Sequence, residues 1–321
     1  LFRSAIFTVQ PMPVTIIARD AEKEYSTLFT FNGNEFTTDK PLVSGDTIMN
    51  VVLKSQGSEP AAMVGDYSII PTMAYGAGSM NYELSYVPGN LKVVKKKLTA
   101  TLLPPDYPGY DSRPKEFRAV LNVSELVQNS DYYIRYSSLS DPANYSYSAP
   151  SKAGDYRVEL ELNNNSLLNY SIDTLPRQNY TITKAPLAIT ANTATKTYGD
   201  NYVLSGSAYV ADMKPLFGSD LISSVTFDCD GFADIAPAGT YEIMPVAVSG
   251  SGLENYVLTY FPGTLTVNRK AITIRGVDMS KMYGETLFAS QLNFSVDARA
   301  MVGADSIMLV QQSSEGFDIT A

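Results

Sequence analysis

The chain has 321 residues and a net charge of −9, and 45% of its residues are hydrophobic. This apolar content allows a folded core, whereas the shortage of Lys and Arg argues against nucleic acid as a partner, because phosphate binding needs clustered positive charge. The absence of histidine and the presence of a single cysteine, Cys229, exclude a histidine-dependent catalytic triad, an internal disulfide and a thiolate metal site.

A pair of alternating strands joined by four residues recurs four times along the chain. The first strand of the pair begins as Phe7-Thr8-Val9, and its later copies end at Val93, Ile182 and Val267. Successive copies are 84, 89 and 85 residues apart, which indicates tandem repeats. The predicted segments are the tail of a preceding repeat (1–12), repeat 1 (13–96), a divergent repeat 2 (97–185), repeat 3 (186–270) and a partial repeat 4 (271–321).

Landmarks inside the repeats keep the same spacing. Tyr25, Tyr198 and Tyr283 each lie 20 residues before a glycine that is followed within two residues by an aspartate. An Asn-Tyr pair recurs as Asn81-Tyr82, 169–170 and 255–256, and repeat 2 replaces the Tyr-Gly element with the sequence 110–114. Equal spacing of this kind favours a structural role for the recurring tyrosines, including Tyr67 and Tyr241.

Period-two alternation of apolar residues predicts a mainly β fold with little helix, built as a tandem array of small β modules of about 85 residues. We expect five or six strands in each module, with bulges or edges at Pro71 and Pro245 because proline cannot donate to a sheet ladder. One short helix is predicted over 287–294. Repeat 4 should contain strands over 272–274 and 307–310.

The ordered motifs of repeats 1, 3 and 4 resemble the MBG repeat of the YGX type. The resemblance is carried by Lys184 to Ala191, Lys196 to Asp200, 239–241, 255–256 and 263–267, and repeat 1 departs from it with Tyr25-Ser26 in place of Tyr-Gly. Family membership implies a secreted or surface-displayed, adhesin-like bacterial protein, built from β-grasp-like or β-sandwich modules. It implies neither catalytic residues nor a cofactor.

Two patterns suggest a binding site. Asp228-Cys229-Asp230-Gly231 and the following Asp234 resemble part of a calcium loop, but the remaining ligands are missing and a polar turn explains the same residues, so no metal is predicted. Irregularly spaced tyrosines are better candidates for a ligand surface, since aromatic faces bind sugars and proteins. They cluster in repeat 2 as Tyr132, Tyr133, Tyr136, Tyr145 and Tyr147.

These features predict a non-catalytic extracellular or cell-surface segment that acts as a semi-rigid stalk or an adhesin-like interaction array. Its short, Pro- or Lys-bearing links differ from flexible Gly/Ser linkers. The alternative is a carbohydrate-binding accessory array attached to an enzyme. The expected partners are glycans or surface proteins, with no nucleic acid, no cofactor and no membrane-spanning segment.

Overall fold

In a computed structural model of the protein, residues 4–211, 216–288 and 294–317 are described. The chain divides into two compact units. The first comprises Leu1–Pro108, Pro114–Pro150 and Gly154–Ile182, and the second comprises Gly109–Arg113, Ser151–Ala153 and Thr183–Ala321. Strands account for 46% of the residues, so the mainly β expectation is confirmed.

Repeat 1, in the first compact unit, forms seven strands, one or two more than expected. They are β1 (Met12–Ala18), β2 (Ala21–Glu24), β3 (Phe36–Thr38), β4 (Asn50–Lys54), β5 (Gly65–Tyr75), β6 (Tyr82–Val87) and β7 (Gly89–Val94).

These seven strands make two small sheets around one core. One sheet has the order β3-β1-β6, with β1 and β6 parallel, and the other has the order β2-β7-β5-β4. Alternate residues of β1 and β7, such as Ile16 and Leu91, are buried against Ile69 of β5. The two-sheet core follows directly from the period-two pattern, because alternate side chains of each strand point to the same face.

Repeat 2 distributes its strands over three sheets. The orders are β10-β9, β14-β8 and a four-stranded sheet β12-β11-β13-β15. The strands are β8 (Lys96–Leu98), β9 (Ala100–Leu103), β10 (Arg118–Leu121), β11 (Tyr132–Ser138), β12 (Asp141–Ser146), β13 (Gly154–Leu162), β14 (Tyr170–Ile172) and β15 (Arg177–Ile182).

Repeat 3 has the same topology as repeat 1. Its sheets have the orders β18-β16-β21 and β17-β22-β20-β19, with the same parallel and antiparallel pairs. The strands are β16 (Ala185–Ala191), β17 (Ala194–Thr197), β18 (Tyr209–Ala211), β19 (Leu221–Asp228), β20 (Gly239–Ser251), β21 (Tyr256–Phe261) and β22 (Gly263–Asn268). Identical topology in two repeats supports the common ancestry that their spacing indicates.

The predicted bulges are confirmed in both long strands. The register of β19 against β20 shifts between the residues paired with Pro245 and Ala247. In β5 the shift falls between the partners of Thr72 and Ala74, and the intervening Met73 has a positive φ of 46°. Each bulge therefore lies one or two residues after the proline.

Repeat 4 is only partly ordered into strands. The structure contains β23 (Ile274–Gly276) paired with β24 (Phe294–Val296), whereas Ile272 and Thr273 precede the strand. The predicted strand over 307–310 is wrong: these residues form no sheet. Its counterpart in repeat 3, β19, pairs with β20, and no described residue after 310 supplies a strand like β20. Most of the predicted helix at 287–294 lies outside the described residues, and Phe294 begins β24.

Helices are short throughout the described residues. One α-helical turn, α1, spans Ser166–Asn169, and none of the described helices is long and apolar enough to cross a membrane. The 3-10 turns are Gln56–Ser58, Ser79–Asn81, Asp230–Phe232, Leu253–Asn255, Ala298–Ala300 and Glu315–Phe317.

Candidate functional site

The Tyr-Gly element of repeat 3 is a rigid turn built around a buried lysine. Lys196 is 5% exposed, and its ammonium donates to the backbone carbonyls of Asp200 and Phe232 at 3.3 Å and to that of Ala233. Gly199 has a φ of 92°, which other residues adopt only at a cost. A buried charge needs such partners to offset its lost hydration, so the lysine fixes the turn that presents Tyr198. We call this element the tyrosine turn.

Repeat 1 forms the same turn without glycine. Lys23 donates to the carbonyls of Thr27, Ser58 and Glu59, and Ser26 occupies the glycine position with a φ of 63°. Burial lowers the pKa of Lys23, with the nearby charge of Glu59 opposing that effect. The departure of repeat 1 from the Tyr-Gly pattern is therefore one of sequence and not of backbone shape.

A second recurring element lies at the Asn-Tyr pair. The hydroxyl of Tyr256 donates to Oδ2 of Asp220 at 2.9 Å and accepts from the backbone N–H of Phe217 at 2.8 Å. Gly252, with a φ of 74°, opens the 3-10 turn that leads to Asn255. We call the carboxylate, asparagine and tyrosine together the acceptor corner. The corner of repeat 3 is thus Asp220, Asn255 and Tyr256.

Within the second compact unit, the acceptor corner of repeat 3 receives residues from the segments 109–113 and 151–153. The hydroxyl of Tyr110 donates to Asp220 at 2.6 Å, and its ring meets that of Tyr256 edge-on at 5.5 Å. The backbone N–H of Ala153 donates to Oδ1 of Asn255 at 2.9 Å. Desolvation, followed by the hydrogen bond to Asp220, raises the pKa of Tyr110. The corner therefore binds a tyrosine side chain and a backbone N–H group that come from outside repeat 3.

The first compact unit contains the same arrangement between repeats 1 and 2. The ring of Tyr25 meets that of Tyr170 edge-on at 5.4 Å, and the backbone N–H of Val64 donates to Oδ1 of Asn169 at 3.2 Å. Glu125 takes the place of the aspartate, because it accepts from the hydroxyl of Tyr170 at 3.1 Å.

Glu125 is also the charged centre of this junction. Lys96 donates to it at 3.0 Å. Desolvation acts to raise the pKa of Glu125, but hydrogen bonds from Lys96, Tyr170 and Ser26 outweigh it and lower the pKa to about 2. The carboxylate therefore stays ionised over the whole physiological range.

A third instance joins repeats 3 and 4. Hydrogen bonding to Asp305 raises the pKa of Tyr198, so the tyrosine turn of repeat 3 donates to the aspartate of repeat 4. The side chain of Val302 lies against Gly199, where a Cβ would come within 2.6 Å of it. In all three instances a tyrosine contacts a residue of the acceptor corner or its aspartate counterpart, and in the first two a backbone N–H also donates to the corner asparagine.

The tyrosines predicted as a ligand surface divide between two faces of the repeat 2 sheet. Tyr132 and Tyr136 are buried in the core beside Ile134, so they contribute nothing to a surface. Tyr133 lies on the outer face, where its ring centroid is 5.2 Å from that of Tyr147. Tyr145 and Tyr147 are about half exposed and meet edge-on at 5.6 Å. The structure therefore brings three of the five predicted tyrosines together.

Charged residues frame these three rings. Arg135 donates to Glu159 at 2.7 Å, and its guanidinium lies 5.0 Å from the ring centroid of Tyr145, a cation–π contact. A hydrogen bond with Tyr145, then desolvation and the charge of Glu161, raise the pKa of Tyr147 to about 12. The result is an aromatic face with fixed polar groups beside it.

The aspartate-rich segment of repeat 3 is a turn. Asp230 lies in a 3-10 turn, and Oδ1 of Asp234 accepts from the backbone N–H of Ile235 at 2.9 Å. Among the described residues, no three carboxylate or cysteine side chains are grouped so that they could hold a metal ion. Cys229 is buried, and desolvation raises the pKa of its thiol.

Sequence reasoning missed the buried lysines and the asparagines of the acceptor corner. Both left a signal, since Lys23, Lys196 and Lys281 each lie two residues before a turn tyrosine. The asparagines precede the corner tyrosine in repeats 1, 2 and 3. Recurrence marked them as important but did not reveal that their partners belong to a neighbouring repeat.

Comparison with known proteins gives a family for two parts of the chain. The family described as MBG domain (YGX type) matches residues 14–92 and 187–266. No curated protein matches the chain. Among solved structures, the crystal structure of Drosophila N-cadherin EC1-4 aligns over 81% of this chain and 76% of that one, with 10% identity and a TM-score of 0.20.

Proposed function

The chain belongs to the MBG-repeat family of the YGX type, and from this premise we propose that it is a non-catalytic extracellular segment that acts as a semi-rigid stalk or interaction array. MBG repeats are typical of extracellular proteins. The observation that carries the proposal is the repeated contact between a tyrosine turn and the acceptor corner of the next repeat.

The junction between repeats 1 and 2, within the first compact unit, restricts rotation about the short link between them. The link of Val94–Lys97 leads from β7 directly into β8, and the Asn169 and Glu125 contacts tie repeat 2 to repeat 1 beside it. The hydrogen bond from Val64 to the neutral amide of Asn169 contributes about 0.5–1.5 kcal/mol, and the partly exposed ion pair of Lys96 with Glu125 contributes up to about 1 kcal/mol. Because only four residues link the two repeats, two or three such contacts are enough to favour one orientation of repeat 1 relative to repeat 2.

Distances between spin labels test this proposal. Labels on Glu83→Cys and Thr101→Cys, both at exposed positions of neighbouring repeats, would be placed in a Cys229→Ser background. We expect a narrow distance distribution that broadens when Asn169→Ala and Glu125→Gln are added. A broad distance distribution in the chain without the Asn169 and Glu125 substitutions would refute the proposal of a semi-rigid stalk.

The second candidate function is carbohydrate binding by the outer face of repeat 2, and the observation that favours it is the cluster of Tyr133, Tyr145 and Tyr147. Aromatic rings with polar groups at their edges suit sugars, which present both C–H faces and hydroxyls. Glycan-array binding should disappear in Tyr133→Ala and Tyr147→Ala and persist in Tyr75→Ala, an exposed tyrosine of repeat 1. Equal binding by all of these variants would exclude the face as the site.

A further inference from the structure

Repeat 1 has a complete acceptor corner, formed by Asp46, Asn81 and Tyr82. The hydroxyl of Tyr82 donates to Oδ2 of Asp46 at 2.9 Å and accepts from the backbone N–H of Val43 at 2.8 Å. These distances equal those of the repeat 3 corner. Gly78, with a φ of 73°, opens the turn to Asn81 as Gly252 does in repeat 3.

The corner of repeat 1 differs from the other two in the exposure of its asparagine, whereas its tyrosine is buried in all three repeats. Asn255 is 2% exposed and Asn169 is 7% exposed, because each accepts a backbone N–H from a neighbouring repeat. Asn81 is exposed, and the adjacent Met80 is 94% exposed. Among the described residues, none covers this corner as segments 109–113 and 151–153 cover that of repeat 3.

We propose that this corner binds the tyrosine turn of a further MBG module, joined ahead of Gln10 in the same polypeptide. The inference rests on the proposed function and names a partner for it. The tyrosine of that module would donate to Asp46 beside the ring of Tyr82. The backbone N–H that precedes the module's Gly-x-Tyr strand would donate to Asn81.

The residues ahead of repeat 1 identify this occupant. Phe7-Thr8-Val9 repeats the pattern of Leu265-Thr266-Val267, which lies in the last strand of repeat 3. Leu265 and Val267 are buried in that sheet, whereas Phe7 is 90% exposed and in no sheet. The pattern fits a last strand whose own module would complete it, and the four residues from Gln10 to Pro13 match the other links.

Tethering explains why the occupant is a module in the same chain and not a second copy. The junction consists of two or three hydrogen bonds and one ring contact, which is little surface for association in solution. A short linker supplies an effective concentration on the order of millimolar. The same contacts are therefore formed within one chain and are weak between chains.

A chain extended by one module tests the inference. Residues 186–267 would replace residues 1–9, so that the added Val267 is followed by Gln10 and the natural link is kept. The probe is amide hydrogen exchange of the added Ala238, which is the counterpart of Val64 and Ala153. We expect Asn81→Ala to accelerate its exchange about tenfold, as one lost hydrogen bond implies, while the added Ile243 stays protected and shows that the module is folded.

The matched control is Asn255→Ala in the natural chain, which should accelerate exchange of Ala153 by a similar factor. If Asn255→Ala accelerates exchange of Ala153 but Asn81→Ala leaves exchange of the added Ala238 unchanged, the inference is overturned and the proposed function stands. If neither substitution accelerates exchange, the inference and the proposed function both fail. Sedimentation velocity of the natural chain supplies the remaining outcome: association that Asn81→Ala abolishes would make a second copy the occupant and overturn the proposal.

Discussion

The hydroxyl of Tyr110 and the hydroxyl of Tyr256 both donate to the same oxygen of Asp220, at 2.6 and 2.9 Å. The two rings stand nearly perpendicular, at 79°, so their edges and faces are in contact while their hydroxyls converge. One carboxylate oxygen therefore both completes the internal corner of repeat 3 and receives the tyrosine from outside it. This double use explains why an acidic residue recurs at the position.

Removing the outer hydroxyl should weaken the junction and leave the repeat folded. We expect Tyr110→Phe to lower the free energy of local opening at the junction by about 1.5–3 kcal/mol, since a hydrogen bond to a charged acceptor is lost. The backbone N–H of residue 110 donates to Thr183 at 2.8 Å, so faster exchange of this amide is the measurement. The control is Tyr283→Phe, because Tyr283 is 88% exposed. If Tyr110→Phe and Tyr283→Phe changed the exchange rate equally, the proposed role of the Tyr110 hydroxyl in the junction would be wrong.

Acid should loosen the junction centred on Glu125. Its pKa is about 2 in the folded protein and ordinarily 4.5, so the unfolded state binds more protons between these values. The stabilisation is therefore complete above about pH 4.5 and is lost as the pH falls towards 2. Unfolding of the first compact unit, followed from pH 7 to 2, should lose part of its acid dependence in Glu125→Gln. The exposed Glu116→Gln is the control, and an unchanged pH profile in Glu125→Gln would contradict the prediction.

The single thiol should be inert in the folded protein. Cys229 is buried in the core of repeat 3 with Ile243 and Leu265, and its thiol has a raised pKa, so little thiolate is present to react. A thiol reagent should label the native chain at least about a hundredfold more slowly than the denatured chain. Immediate labelling of native protein would show that the end of β19 is open.

The period-two alternation of apolar residues in the sequence correctly predicted which side chains are in the core. Leu187, Ile189 and Ala191, which share one face by the period-two pattern, are all buried. The same rule separates Tyr133 from Tyr132, because neighbours in a strand point to opposite faces. Predicting a surface from the clustering of tyrosines alone ignored this separation, and two of the five residues are therefore in the core.

The junctions could not be predicted from the sequence because their partners are far apart in the chain. Ala153 and Asn255 are 102 residues apart, and Tyr110 and Asp220 are 110 apart. Recurrence identifies which residues matter in each repeat, but it does not state whether a partner lies in the same repeat or the next. Only the three-dimensional arrangement separates an internal contact such as Tyr256 to Asp220 from an external one.

The core of repeat 2 contains one polar group without a protein partner, and its replacement should not destabilise the fold. The hydroxyl of Tyr180 is buried and forms no hydrogen bond with the described residues, whereas that of Tyr136 accepts from the backbone N–H of Phe117 at 2.9 Å. Tyr180→Phe should therefore be neutral or stabilise by up to about 1 kcal/mol, since burying an unpaired hydroxyl is unfavourable. Tyr136→Phe leaves a buried N–H unpaired and should cost about 1–3 kcal/mol. Hydrogen exchange of the amides in β11 and β13 measures both changes in the same sheet, and a larger loss for Tyr180→Phe than for Tyr136→Phe would contradict this account of the core.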